Sequence, residues 1–177
     1  MQRKILNMKI LFLDIDGVLN CDSSISRCQQ FIGIDKDKVR RLAHIIDKTK
    51  ASIVLTSSWK IGWHPNRKYS KREFYHAYYL DTHLYKKGKV RISARTYDDR
   101  DSFRGGGIQK FLKEYPEVKQ WVVLDDFLFP DYEKENILPH LVLTDPKYGL
   151  QDEDAEVAIQ ILNQERVGPY KSLSLLI

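Results

Sequence analysis

The chain is poor in cysteine, with only Cys21 and Cys28 in 177 residues. Their spacing does not match a CxxC metal or redox site, so they read as two free thiols in a reducing compartment. No apolar stretch is long enough to span a bilayer. Met1-Gln2-Arg3-Lys4 leads into a broken apolar run that soon meets Asp14 and Asp16, two acids that a secretion signal would not carry. A cytoplasmic protein without a membrane partner is the expectation. His44, His64, His76, His83 and His140 lack metal-ligand spacing and receive no role. No charge of one sign dominates: 29 Lys and Arg face 24 Asp and Glu, a formal balance of +5. That mild excess suits an anionic partner without demanding nucleic acid. There is no internal repeat, low-complexity tract or linker, and the length suits one domain, residues 1–177, with its own core.

Short apolar runs are present, each ending in polar residues. Ile10 to Leu13 ends at Asp14, Ser52 to Leu55 ends in Thr56-Ser57-Ser58, and Trp121 to Leu124 ends in Asp125-Asp126. Leu141 to Leu143 ends in Thr144-Asp145-Pro146, and Lys89 to Ser93 is a weaker fifth candidate. Ile10 to Leu13 is wholly apolar, and a run of this kind bounded by a Gly turn suits a strand buried on both faces. Helical patterns lie between them. Val39, Leu42, Ile45 and Ile46 share one face, Ile108, Phe111 and Leu112 follow Gly105-Gly106-Gly107, and Ala155, Ala158, Ile159 and Leu162 follow the acids Asp152, Glu153 and Asp154. This alternation predicts an α/β three-layer sandwich, Rossmann-like, with a mostly parallel sheet of about five strands.

Ligands of open parallel sheets bind outside the carboxyl ends of the strands. Asp14, Asp16, Thr56, Asp125 and Asp126 are therefore expected in one crevice. Residues two apart leaving a strand point the same way, so Asp14 and Asp16 should stand together, and with Asp125 and Asp126 four carboxylates would meet. Such a concentration of charge calls for a hard cation with oxygen ligands, and Mg2+ is the expected one. The cation would draw a phosphate into the site. Thr56 and Ser57 offer donors to phosphate oxygens. Gly17 permits a sharp turn and an amide that could face the phosphate.

Asp14-Ile15-Asp16-Gly17-Val18-Leu19-Asn20 resembles the first motif of the haloacid dehalogenase (HAD) superfamily of phosphatases. Ile53-Val54-Leu55-Thr56-Ser57 resembles its second motif and Val122-Val123-Leu124-Asp125-Asp126 its acidic fourth. The resemblance implies that Asp14 attacks phosphorus and forms an aspartyl-phosphate. It implies that Asp16 protonates the leaving oxygen and then activates water. Asp14, the backbone carbonyl of Asp16, and Asp125 or Asp126 would hold Mg2+, and Thr56 would bind a phosphate oxygen, with Ser57 and Ser58 beside it. The family's third motif is usually a lysine, but the matching stretch here reads Ser102-Phe103-Arg104-Gly105-Gly106-Gly107-Ile108. Arg104 is the first choice for the cation beside Asp14, Lys110 the second and Lys60 the third. Thr56-Ser57-Ser58-Trp59, Arg104-Gly105 with Ile108, Trp121 to Asp126, and Leu143-Thr144-Asp145-Pro146 through Gly149-Leu150 to Ala155 resemble a small branch without a large cap. It is the HAD domain associated with Swiss-army-knife RNA repair proteins, which implies nucleotides or RNA or DNA ends as substrates.

Residues 60–103, between the second and third motifs, form a basic aromatic segment. With its flanks Trp59 and Arg104 it holds half of the chain's Trp, Tyr and Phe. Among them are Trp63, Tyr69, Phe74, Tyr75, Tyr78, Tyr79, Tyr85, Tyr97 and Phe103, interleaved with Lys60, Arg67, Lys68, Lys71, Arg72, Lys86, Lys87, Lys89, Arg91, Arg95 and Arg100. Such a mixture suits backbone contact and base stacking, or else an aromatic helix face packed on the sheet with a solvated basic rim. The expected activity is Mg2+-dependent hydrolysis of phosphomonoesters. The rivals are a catalytically inactive nucleic-acid-binding module and an Asp-phosphorylated signalling domain.

Overall fold

A computed structural model describes residues 9–66, 74–97, 103–165 and 169–171. In chain order the elements are β1 (Lys9–Leu13), β2 (Arg27–Cys28), β3 (Phe31–Ile32), α1 (Lys36–Thr49), β4 (Ser52–Leu55), α2 (Tyr75–Gly88), β5 (Ile92–Arg95), α3 (Arg104–Glu114), β6 (Gln120–Asp125), β7 (Leu141–Leu143), α4 (Asp152–Leu162) and β8 (Tyr170–Lys171). Single 3-10 turns occupy Ser58–Lys60 and Leu138–His140.

The apolar runs become the central strands because they have water on neither side. Ile10, Leu11, Phe12 and Leu13 are all fully buried. Alternate residues serve opposite layers. Leu11, Leu13, Ile53, Leu55, Val122 and Leu124 pack with α1, α2 and α4. Ile10, Phe12, Val54 and Val123 pack with Ile108 and Phe111 of α3 and with Tyr132 and Ile137. Each such aliphatic side chain contributes about 1.5–3 kcal/mol on burial, so the sheet is held by both layers at once.

The strand order is β5-β4-β1-β6-β7-β8, and every neighbouring pair is parallel. Chain order runs outward from β1 to β4 and β5, then returns through α3 to β6 on the other side of β1. The sheet therefore reverses direction at β1, which places a crevice outside its carboxyl end. β8 adds a two-residue sixth strand at the edge, beyond the five expected. The fifth strand lies at Ile92–Arg95 rather than Lys89 to Ser93. Lys89 instead ends α2 in the left-handed conformation (φ 58°), its amide donating to the Tyr85 carbonyl at 2.9 Å.

The β2–β3 hairpin is antiparallel and stands apart from the sheet, between β1 and α1. It was not expected, because two strands of two residues carry no readable periodicity. It is fastened by the Gly33 amide on the Ser26 carbonyl (2.9 Å) and by the buried Cys28. Both cysteines are free thiols. Among the described residues no helix is long and apolar enough to cross a membrane.

Candidate active site

Ladder bonds continue one residue past the strands. The Asp14 amide donates to the Leu124 carbonyl (3.0 Å), the Thr56 amide to the Leu13 carbonyl (2.9 Å) and the Thr144 amide to the Asp125 carbonyl (2.9 Å). With Leu13 in register with both Leu55 and Leu124, these bonds put Asp14, Thr56 and Asp125 at one level.

Asp14 is only 4% exposed. Arg104 Nη1 bridges two carboxylates, at 2.8 Å from Asp14 Oδ1 and 2.6 Å from Asp125 Oδ2. Asp125, fully buried, also accepts from the Tyr132 hydroxyl (2.6 Å) and the Phe127 amide (3.1 Å). The guanidinium lies over the Phe129 ring, 4.4 Å from its centroid. Arg104 is the first residue of α3, and the start of that helix is anchored from outside. Asp131 Oδ2 accepts from the Gly106 amide at 2.8 Å, serving a first-turn donor that no local cap reaches. A Cβ on Gly105 would stand 2.9 Å from the same carboxylate oxygen.

Ligand oxygens of Asp14, Asp125 and Asp126 lie within 4.8 Å of one another. The electrostatic cost is visible in their titration. Burial pushes Asp14 up to about 7, against the pull of Arg104 and with added repulsion from Asp125, Asp126 and Asp16. Burial, then Asp125, raises Asp126 to about 6. For Arg104 burial opposes the charge, but Asp14 and Asp125 outweigh it and hold the guanidinium above its ordinary value. Burial and the neighbouring Asp125 push the Tyr132 phenol far up, so it stays a donor. Three carboxylates facing one guanidinium form an oxygen-only donor set that a hard divalent cation fits.

Of the four carboxylates expected together, three reach ligand spacing, and Asp16 stands outside that group, though close enough to raise Asp14 and Asp126 and to share a cleft with Asp126. Asp16 is exposed. Its Oδ1 accepts from Asn20 Nδ2 (2.9 Å) and its Oδ2 from the Trp59 indole N–H (3.0 Å). The strand ends at Leu13, so its two-residue alternation no longer aims Asp16 alongside Asp14. The turn passes through Gly17 at φ +67°, where a Cβ would come within 2.2 Å of Asp126 Oδ2. The Gly17 amide donates to Asn20 Oδ1 at 2.9 Å, and the Gly17 carbonyl accepts from Thr144 Oγ1 at 2.8 Å. That amide is therefore committed within the loop rather than turned to the cleft.

The Thr56 hydroxyl oxygen is buried and has no hydrogen-bond partner within the protein. Ser57 Oγ accepts from the Trp59 amide (3.3 Å) and caps the 3-10 turn, while Ser58 is exposed on the cleft beside Asp16. Of the three cations considered, Arg104 is the one placed on Asp14. Lys60 Nζ donates to Thr96 Oγ1 (3.1 Å) and the Tyr97 carbonyl (2.8 Å), and Lys110 lies over the Tyr97 ring at 4.6 Å.

The basic aromatic segment divides. Trp59, Trp63 and Tyr79 are core residues, whereas Tyr75, Tyr78, Tyr85 and Phe103 are exposed. Lys89 and Arg91 both lie over the Tyr85 ring. Arg67, Lys68, Tyr69, Lys71, Arg72 and Arg100 lie outside the described residues. Sequence reasoning missed Tyr132, Phe129 and Asp131, which come from the irregular stretch after β6 and carry no motif. It also passed over Asn20, although that residue closes the first motif.

The family described as "HAD domain in Swiss Army Knife RNA repair proteins" matches residues 10–155. That span runs from β1 into α4 and contains every residue of the site. No curated protein matches the chain.

Proposed function

The chain belongs to the family of HAD domains in Swiss Army Knife RNA repair proteins, and from that premise we propose that it is a phosphomonoester phosphatase whose nucleophile is Asp14. A hydrolase of the phosphohydrolase type follows at the level of the superfamily. The finer reading is carried by one observation: a buried carboxylate at the centre of the sheet, bridged to Asp125 by a single arginine nitrogen.

Asp14 attacks phosphorus as the bond from phosphorus to the leaving oxygen breaks, giving an aspartyl-phosphate. Asp16 gives its proton to that oxygen. It then takes a proton from water, which attacks phosphorus and releases inorganic phosphate with Asp14 restored. Asn20 and Trp59 hold the two oxygens of Asp16, and Arg104 orients Asp14. The unpartnered Thr56 hydroxyl is free to bind a phosphate oxygen. Asp14, Asp125 and Asp126, with the backbone carbonyl of Asp16, are the residues that would hold Mg2+. When bound, the cation supplies the positive charge that lets an anionic phosphate enter beside three carboxylates.

The family description supports a nucleotide or a nucleic-acid end as the phosphate bearer, and two buried free thiols suit a cytoplasmic setting. The test is a phosphatase panel that includes end-phosphorylated oligonucleotides, run with Mg2+ and with a chelator. Release of phosphate only with the metal is expected. An inert panel, or turnover undiminished by the chelator, would overturn the reading.

A further inference from the structure

In-line displacement puts the leaving group opposite Asp14, on the side where Asp16 stands. Two clefts open there, and Asp16, Phe31 and Trp59 line both. One, of about 380 Å³, takes in Asp126 of the acidic floor with Gly17, Asn20 and Asp22, and so belongs to the space that the phosphate itself must occupy. The other, of about 240 Å³, is completed by Ser58, Ile61 and His76 and adds no carboxylate beyond Asp16. Its walls are apolar and open: Phe31 is 52% exposed and Ile61 47%. Its volume falls below the roughly 300–1,000 Å³ of pockets that enclose a whole drug-sized ligand, so it suits a single ring system.

The walls are held in place by the residues that hold Asp16. Asn20 Nδ2, which donates to Asp16, also reaches the carbonyl of Ile32 beside Phe31 (3.5 Å). A Cβ on Gly33 would meet the Tyr79 hydroxyl at 2.4 Å, so α2 presses directly under the hairpin. A carbonyl only accepts, so His76 Nε2–H must donate to the Ile61 carbonyl (3.1 Å), which pins that ring and Ile61 together. The His76 ring meets Trp59 edge to face, with centroids 5.8 Å apart. Exposed apolar side chains on a fastened hairpin, set beside the proton donor, constitute a preformed platform rather than a scattered surface.

We propose that this cleft is a stacking subsite for the base of the nucleotide that bears the phosphate, with Phe31 and Ile61 as its walls. The inference rests on the phosphatase reading above and adds to it the part of the leaving group that is recognised. Walls that offer faces and few polar atoms make the recognition tolerant of base identity.

The experiment measures kcat/KM with Mg2+ on two matched pairs of substrates. The first pair is an end-phosphorylated oligonucleotide with an intact terminal base and the same oligonucleotide with an abasic terminal sugar. The second is a nucleoside monophosphate and the corresponding ribose phosphate. A preference of about tenfold or more for the base-bearing member is expected in at least one pair, and the pair that shows it identifies a polymer end or a free nucleotide as the source. Phe31→Ala should collapse that preference towards one, and Ile61→Ser should lower it. Turnover with no preference in either pair, or a preference that survives Phe31→Ala, overturns this inference alone. Absence of turnover on all four substrates overturns this inference, and the phosphatase reading falls with it only if the whole panel of phosphomonoesters is also inert.

Discussion

Asp14 and Asp16 are separated by one residue, yet the first is almost wholly buried and the second is exposed. The floor around Asp14 is built of charges removed from water and locked by short bonds among Arg104, Asp125 and Tyr132. The rim around Asp16 is built of apolar side chains, Phe31 and Ile61, left facing water. Buried charge is costly unless each group is bonded, so the floor is rigid and its members depend on one another. An exposed side chain has little to lose on replacement, so the rim can serve selection without supporting the fold. The buried floor and the exposed rim thus differ in what a substitution costs, although Asp16 on the rim shares the proposed chemistry with Asp14 on the floor.

Substitutions at the two sites should therefore differ in kind. The largest effect belongs to Asp14→Asn, which removes the nucleophile and keeps the shape. Initial rates on any phosphomonoester the protein accepts should fall on the order of 10⁴-fold or more, with the circular dichroism of a folded protein retained. Full activity in this variant would end the assignment of Asp14. Next comes Arg104→Met, which leaves Asp14 and Asp125 facing each other without the bridging cation. A loss of about 10²- to 10³-fold in kcat/KM should accompany a loss of about 3–5 kcal/mol in urea unfolding. Because one nitrogen makes both contacts, Arg104→Lys should recover part of each loss. A lysine variant no better than methionine would show that the contact with Phe129 or the planar group matters more than the charge.

Tyr132→Phe removes one donor to Asp125 and nothing else from the core. Urea unfolding should report about 1.5–3 kcal/mol of destabilisation, and an unchanged midpoint would mean that the hydroxyl is not holding the floor. Smaller again is the response to pH of the metal-free protein. The folded values of Asp14 (about 7) and Asp126 (about 6) lie above the ordinary 3.8. The folded state therefore holds protons that the unfolded chain releases between those limits. Stability from these two groups is complete below about pH 4 and is lost as pH rises through 6 to 7. The Tm should fall over that interval, and Mg2+ should raise it most near pH 8, where the carboxylates are ionised. A flat profile in chelator would remove the buried acidic floor from the description. The smallest effect is that of Phe31→Ala on stability, within about 0.5 kcal/mol. A larger loss would make the rim a structural element and erase the contrast with the floor.

Much of this arrangement was legible beforehand, and the residues show why. Ile10 to Leu13, Ile53 to Leu55 and Trp121 to Leu124 had to be central strands, because runs without polar residues have no solvated face. Their polar ends then had to share one edge, because a parallel sheet collects all of its carboxyl termini there. The hairpin carrying Phe31 was not legible, since two-residue strands leave no period to detect. Tyr132, Phe129 and Asp131 were not legible either, because they lie in turns whose course is set by packing against α3. The basic aromatic segment was legible only as a mixture. Its division into core residues such as Trp63 and exposed ones such as Tyr85 depends on which face of α2 meets the sheet.

The sequence by itself determined that the strands' polar ends gather at one edge, and so the company of Asp14, Thr56 and Asp125, because apolar runs and the parallel sheet leave few other solutions. Only the tertiary structure decided which cation meets Asp14 and where Asp16 turns. Arg104 reaches Asp14 across 90 positions of chain because α3 crosses back beneath β1 with its first turn held by Asp131. Asp16 leaves the acidic cluster because the strand ends one residue before Asp14, and beyond a strand's end the neighbours, here Asn20 and Trp59, set the direction of a side chain.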